Sequence, residues 1–241
     1  MRSILFSIVC ATLMCVNLSC EGAEVNTDEQ ISCDTLNSKR IAILGDSYST
    51  YVGWIPQGYA VYYDGNRILN SVNQTWWKRL IDACDCDLVI NSSYSGSTIC
   101  NTGYGKSDYT NISFITRMKS DIPDSVDVIF VFGGTNDSWA DSPIGELKYA
   151  DWTTDDLKSF LPAACYLFDY LTRTFSHAKI INITNYGLSE AVTQGLSDVC
   201  NHYGVSNVVL SPIELREGHP TAKGMLSIAK QVSDFLNNGG K

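Results

Sequence analysis

Five short runs of apolar residues recur along the chain. They lie at 40–45 (RIAILG), 87–92 (DLVINS), 127–134 (DVIFVFGG), 179–184 (KIINIT) and 207–211 (NVVLS). Continuous runs rich in Ile and Val are typical of strands that are buried on both faces of a sheet. The pattern therefore predicts about five buried strands.

Segments with helical spacing separate these runs. They cover 73–84, 113–120, 153–175, 189–204 and 221–240. Asn73 is a plausible helix N-cap, Gly204 a natural helix end, and Pro162 a candidate kink. Regular strand–helix alternation predicts an α/β fold with parallel strands and helices on both faces of the sheet. We find no internal repeat and place one domain at residues 39–241.

The first twenty residues resemble an export signal. A single positive charge at Arg2 precedes an almost entirely apolar run, 4–18, which is too short to span a bilayer comfortably. Cys20 follows a small residue, as in a bacterial lipoprotein cleavage box, although Asn17 stands where that box prefers Leu. We expect an exported protein, whether periplasmic, lipid-anchored through Cys20 or secreted; a short membrane anchor is the alternative. Residues 21–38 are polar and predict a tether.

Composition and charge make some classes of partner unfavourable. Hydrophobic residues make up 44% of the 241 and charged residues 18%, which is typical of a globular protein. The formal net charge of −9 disfavours nucleic acids and anionic membrane surfaces as main partners. The sequence does not indicate an oligomeric state.

Nine cysteines are many for this length. Cys10 and Cys15 lie in the predicted signal, and six remain if Cys20 is lipidated or removed: Cys33, Cys84, Cys86, Cys100, Cys165 and Cys200. An exported chain with six cysteines allows disulfides, but the sequence does not define their pairing. The CDC triplet is too tight for a zinc knuckle and has no second pair beside it, so we predict no metal site.

Three long connections follow predicted strands, at 46–72, 93–112 and 135–152. Open α/β sheets bind ligands at the edge formed by the carboxyl ends of their strands. The connections are rich in tyrosine and tryptophan, which suit either stacking on sugar rings or packing within the loops. We therefore look for chemistry at this edge.

Ser47 lies directly after the first strand, in the triplet Gly45-Asp46-Ser47. The triplet alone is a weak signal, because an Asp-Ser turn that caps a helix has the same appearance. A nucleophilic serine needs a base. Of the three histidines, only His219 lies in a loop that follows a strand and so reaches the same edge; His177 and His202 do not. Ser47 and His219 are thus a candidate nucleophile and general base.

Two residues after other strands could stabilise an oxyanion. Gly96 follows the second strand, where its N–H can approach a substrate without a side chain in the way. Asn136 follows the third strand, and its amide can donate a hydrogen bond. A flexible loop glycine and an Asx turn are the alternatives, but the order along the chain favours an acyl-transfer site.

These four blocks resemble the SGNH (GDSL-type) hydrolases. The matching residues are GDS at 45–47, the glycine block at Gly96, GTND at 134–137 and HP at 219–220. The resemblance implies a flavodoxin-like three-layer α/β/α sandwich, with Ser47 as nucleophile and His219 as base. It also implies an oxyanion hole formed by the N–H groups of Ser47 and Gly96 and the Asn136 side chain. The surrounding motifs are similar to exported Bacteroides-type members.

One block departs from the family pattern. An Asp usually stands three residues before the histidine, whereas this chain has Arg216 there. Glu214 is our prediction for the residue that orients His219, and Glu217 is the alternative. A dyad whose histidine is held by a backbone carbonyl is the third possibility.

These observations predict a serine esterase that acts through an acyl-enzyme, without metal or organic cofactor. We expect short acyl groups, such as O-acetyl, on carbohydrate. A lipid or other short-chain esterase is one alternative, and a non-catalytic glycan-binding protein on the same fold is another. A nucleotide-binding domain is disfavoured, because LGDSYSTY has too few glycines for a phosphate loop.

Overall fold

The computed structural model describes residue 31 and residues 33–239. The predicted signal peptide, Cys20 and most of the predicted tether lie outside the described residues. The last part of the tether segment packs against the domain, since Cys33 and Leu36 are buried. Within the described part of the chain, no helix is both long and apolar enough to cross a membrane.

A five-stranded parallel sheet forms the centre of the molecule. Its strands are β1 (Arg40–Gly45), β2 (Asp87–Ser93), β3 (Val128–Gly133), β4 (Lys179–Thr184) and β5 (Ser206–Val209), and their spatial order is β2-β1-β3-β4-β5. The prediction of about five parallel strands is confirmed. β1 lies between β2 and β3, so the residue that follows it leaves from the interior of the sheet.

In the described part of the chain, six α-helices accompany the sheet: α1 (Trp76–Ala83), α2 (Phe114–Ser120), α3 (Thr135–Trp139), α4 (Phe160–Thr174), α5 (Glu190–Tyr203) and α6 (Ala222–Asn237). Successive residues of β1 point to opposite faces, as in any strand. Ile41 and Ile43 join a core with α1 and α6. Ala42 and Leu44 join a second core with α2, α4 and α5. The three-layer α/β/α sandwich is therefore confirmed.

The carboxyl ends of neighbouring strands meet at one edge. Gly45, the last residue of β1, is in register with Ser93 of β2 and Phe132 of β3. A Cβ on Gly45 would lie 2.5 Å from Ser93 Oγ and 2.8 Å from Ser49 Cβ. Only glycine lets the chain turn this tightly against β2, and the turn brings Ser47 to the edge.

The structure differs from the sequence prediction in its shorter elements. α4 begins at Phe160, later than expected, so Pro162 lies in the first turn, where proline is tolerated without a kink. The five-residue α3 and a two-residue antiparallel hairpin, β6 (Leu215–Arg216) with β7 (His219–Pro220), were not predicted. Elements this short leave little periodicity to detect.

Candidate active site

Ser47 opens a single 3-10 turn, Ser47–Ser49, directly after β1. The Asp46 carboxylate accepts a hydrogen bond from the Tyr48 N–H at 3.0 Å, which caps this turn. The Ser49 N–H donates to the Asp46 carbonyl at 3.1 Å. The cap and the turn hold the Ser47 backbone in one conformation at the sheet edge, which is the requirement for an aligned nucleophile.

His219 is the first residue of β7 and lies on the β6–β7 hairpin. Arg216 pairs with His219, and the two residues between them, Glu217 and Gly218, have φ values of +53° and +76°. Positive φ at both central positions defines a type I′ turn, whose twist matches that of the flanking strands. Gly218 adopts this conformation freely, whereas Glu217 does so with strain.

The structure brings Ser47 and His219 together. His219 Nε2 lies 2.9 Å from Ser47 Oγ, and His219 Nδ1 lies 3.1 Å from the Glu217 carbonyl oxygen. A carbonyl only accepts, so Nδ1 carries the proton and Nε2 is free to accept the Ser47 hydroxyl proton. The hairpin turn thus selects the tautomer that a general base requires.

The structure does not place Glu214 in the predicted role. Its carboxylate accepts a hydrogen bond from the Thr221 hydroxyl at 2.5 Å and lies 3.7 Å from Lys223 Nζ. Glu217, the alternative, directs its carboxylate to Arg67 at 3.3 Å. The physical reason is the type I′ turn, which presents the Glu217 carbonyl to the imidazole and leaves both carboxylates on other partners.

We expect Glu214→Gln to keep kcat/KM for p-nitrophenyl acetate within about twofold of wild type. The amide can still accept from the Thr221 hydroxyl, and the contacts of His219 do not change. Steady-state kinetics on the purified variant would check this. A fall of a hundredfold or more would restore Glu214 as the residue that orients His219.

Four aromatic rings surround His219. Tyr62 stacks on the imidazole with ring centroids 3.4 Å apart and planes 10° apart, and Trp139 meets it edge-on at 5.9 Å. The hydroxyls of Tyr48 and Tyr63 donate to the carbonyls on either side of His219, those of Gly218 (2.7 Å) and Pro220 (2.9 Å). The histidine is thus held by its own ring and by the backbone on both sides.

The partial burial of the imidazole lowers the pKa of His219 below its ordinary value of 6.5, because the cationic form is desolvated. The neutral imidazole is the form that accepts the Ser47 proton, and it predominates above the pKa. We therefore expect the acidic limb of the kcat/KM profile for p-nitrophenyl acetate to have its midpoint below pH 6.5.

Tyr62→Ala serves as the test of this assignment. It uncovers the imidazole and should move the acidic limb toward higher pH, because the desolvation that lowers the pKa of His219 is reduced. Asp46 and Asp137 titrate in the same range and keep their surroundings in this variant. An unmoved limb would assign it to one of those carboxylic acids.

The residues predicted for the oxyanion hole lie at the same edge. The Tyr94 N–H donates to the Gly45 carbonyl at 3.1 Å, which places the turn after β2 beside the end of β1. Gly96 has φ +84°, and a Cβ built on it would meet no heavy atom within 4 Å. The space beside Gly96 is therefore open, and its conformation favours glycine.

The Asn136 amide is oriented from both ends. Its Nδ2 donates to the Ser97 carbonyl at 3.0 Å, and its Oδ1 accepts from the Tyr104 hydroxyl at 2.8 Å. An amide nitrogen carries two protons, so the second is left for a substrate oxygen. Tyr104 appeared in the sequence only as one of many loop aromatics, and its role in fixing Asn136 was not predicted.

A buried arginine, also not predicted, forms hydrogen bonds to several segments of the site. Arg117 of α2 donates to the Gly45 carbonyl (3.0 Å), the Ser97 hydroxyl (2.9 Å) and the Ile112 carbonyl (2.9 Å). It also donates to the carbonyl and hydroxyl of Ser92. One guanidinium thus holds the ends of β1 and β2 and the turn that carries Gly96.

The sequence contained a signal for this residue. Arg117 lies on the same helical face as Phe114 and Met118, and all three are buried. A lone arginine at core spacing in a short helix indicates a buried charge with fixed partners.

Two buried carboxyl groups complete this edge. Burial raises the pKa of Asp46 to about 7 and that of Asp137 to about 6, since desolvation disfavours the charged forms. Asp137 accepts hydrogen bonds from the N–H groups of Ile99 (2.8 Å) and Cys100 (3.2 Å). Asp137 therefore holds the chain that follows Gly96 in place. This is a different role from the local Asx turn that was the alternative interpretation of this segment.

The family model for GDSL-like lipase/acylhydrolase matches residues 39–236, nearly all of the described domain. The chain belongs to this family. It is a hydrolase that acts on ester bonds. No group of three or more ligating side chains that could hold a metal ion occurs among the described residues.

Solved structures agree with this assignment. A candidate GDSL-like lipase from Bacteroides uniformis is 45% identical, with a TM-score of 0.80, covering 83% of this chain and 96% of its own. Another from Bacteroides ovatus is 41% identical, with a TM-score of 0.80, covering 84% and 99%. A family two carbohydrate esterase from Clostridium thermocellum, solved with cellohexaose, is 16% identical with a TM-score of 0.57, covering 83% and 64%, and shares the fold alone. No curated protein matches the chain.

Proposed function

We propose that this esterase removes O-acetyl or similarly short acyl groups from carbohydrate, with Ser47 as nucleophile and His219 as general base. The observation that carries the catalytic assignment is the chain of contacts from Ser47 Oγ through His219 to the Glu217 carbonyl. It supplies a nucleophile, a base and a group that orients the base.

In the first half of the reaction, His219 Nε2 takes the proton of Ser47 as Oγ attacks the ester carbonyl. The carbonyl oxygen becomes an oxyanion and receives hydrogen bonds from the N–H groups of Ser47 and Gly96 and from Asn136 Nδ2. The C–O bond to the alcohol then breaks, and the protonated His219 gives its proton to the leaving oxygen. In the second half, His219 activates water, which releases the acid from Ser47.

Tyr62 helps to position the base. A backbone carbonyl is a dipole and stabilises an imidazolium less than a carboxylate does. The Tyr62 ring, stacked at 3.4 Å on His219, restricts the orientation of the imidazole and favours its neutral form, which accepts the Ser47 proton. The dyad thus has a second positioning contact in place of the missing Asp.

The choice of acyl group and polymer is supported by the surroundings of Ser47. Ser47 is only 2% exposed, and this crowding favours a small acyl group. Three partly exposed rings, Tyr104, Trp139 and Tyr186, flank the same edge. Trp139 contacts His219, and Tyr104 contacts Asn136, so a sugar that stacks on these rings would present its ester to Ser47.

The deciding experiment measures acid release from acetylated xylan, acetylated glucomannan, p-nitrophenyl acetate, p-nitrophenyl octanoate and an emulsified long-chain triacylglycerol. We expect the highest kcat/KM on an acetylated glycan. Preference for the octanoate or the triacylglycerol would favour a lipid esterase. Binding of a glycan without release from any ester would support the non-catalytic alternative.

Trp139→Ala tests the stacking surface. We expect a rise in KM for the acetylated glycan that exceeds the change for p-nitrophenyl acetate at least fivefold. Trp152→Ala is the matched control, since Trp152 packs against Tyr166 in the α2–α4–α5 layer. Equal losses on both substrates would assign Trp139 to His219 positioning and remove it from substrate binding.

A further inference from the structure

Cys33, Cys84 and Cys86 meet where the N-terminal segment joins the domain. Cys33 precedes a 3-10 turn, Asp34–Leu36, and Cys84 ends α1. The two backbones are joined nearby, because the Ser38 N–H donates to the Asp85 carbonyl at 2.9 Å. The meeting point is therefore part of the packed domain.

Cys33 and Cys84 face one another inside this junction. Both are buried, with 2% and 4% exposure, and both line the same small cavity of about 80 Å³. The two thiols interact within this cavity, which lowers the pKa of Cys33 to about 6 and raises that of Cys84. A lowered pKa favours the thiolate, the form that attacks a disulfide.

The third cysteine is engaged elsewhere. The Cys86 thiol donates to the Leu36 carbonyl at 3.1 Å and lies 3.6 Å from the Cys84 carbonyl. The other cysteines of the described chain, Cys100, Cys165 and Cys200, belong to the core on the opposite face of the sheet. The contacts therefore single out one pair.

We propose that Cys33 and Cys84 form a disulfide that fastens the N-terminal segment to the end of α1. With a small-molecule disulfide as oxidant, the Cys33 thiolate attacks one of its sulfurs, its S–S bond breaks and one thiolate leaves. Cys84 loses its proton, attacks the Cys33 sulfur of the mixed disulfide and displaces the second thiolate. The two protein thiols lose two electrons, and the oxidant gains them as two thiols.

The bridge would close a loop over residues 34–83, which contains Ser47 and the rings of Tyr62 and Tyr63. Closing a long loop reduces the freedom of the unfolded chain more than that of the folded one. We expect the oxidised protein to melt roughly 5–15 °C higher than the reduced protein.

The test equilibrates the reduced, folded full chain with oxidised glutathione, blocks free thiols with iodoacetamide and maps the peptides by mass spectrometry. We expect a Cys33–Cys84 peptide and an alkylated Cys86. Cys86→Ser should keep the bridge, whereas Cys84→Ser should lose it. Alkylation of both Cys33 and Cys84, or a bridge that includes Cys86, would overturn the proposal. The wild-type peptide map decides the matter even if a variant does not fold.

Discussion

Ser47→Ala is expected to lower kcat for p-nitrophenyl acetate by at least about a thousandfold. The variant loses the hydroxyl oxygen that lies 2.9 Å from His219 Nε2 at the carboxyl-end edge of the sheet. The residual rate would come from the oxyanion donors and from His219 acting on water. Because alanine removes one buried oxygen and adds no volume, the fold should persist, which circular dichroism would check.

Ser176→Ala is the matched control for this experiment. Ser176 is exposed in the turn before β4, at the opposite edge of the sheet, and should retain wild-type kinetics. A Ser47→Ala protein with more than a tenth of the wild-type kcat would show that Ser47 is not the nucleophile. Loss of activity in both variants would indicate a defect unrelated to the site.

Arg117→Met is expected to produce the largest loss of stability, roughly 3–5 kcal/mol in the free energy of unfolding. Methionine fills much of the volume but donates nothing, so the carbonyls of Gly45 and Ser92 lose a donor inside the protein. The Ser97 hydroxyl keeps its bond to the Tyr94 carbonyl but no longer accepts one from Arg117, which loosens the turn with Gly96. Urea denaturation followed by circular dichroism measures the change.

Two further variants sharpen the result. Arg117→Lys keeps the charge without the planar fork and should fall between wild type and Arg117→Met. Arg173→Met removes an exposed arginine that pairs with Asp169 at 3.2 Å on α4, and should change the free energy by less than about 0.5 kcal/mol. A loss below about 1 kcal/mol for Arg117→Met would contradict the structural role assigned to Arg117.

The four motifs with candidate catalytic residues could be recognised in the sequence because each follows a predicted buried strand. Parallel strands end at a common edge, so Ser47, Gly96, Asn136 and His219 could be assigned to one site before any distance was known. The β6–β7 hairpin was not accessible, because four paired residues carry no periodicity. The sequence therefore could not decide whether the Glu214 carboxylate or the Glu217 carbonyl orients His219, because the answer depends on the geometry of that hairpin.

The sequence by itself determined the five-stranded α/β fold and supplied the candidate catalytic residues, since strand periodicity and glycine positions are local properties. Only the tertiary structure decided what holds these residues. The Glu217 carbonyl reaches His219 through two positive φ angles, and Arg117 joins β1, β2 and the Gly96 turn across 72 positions of sequence. Such contacts depend on where the folded backbone places its carbonyl groups, and a carbonyl is present at every residue whatever its side chain.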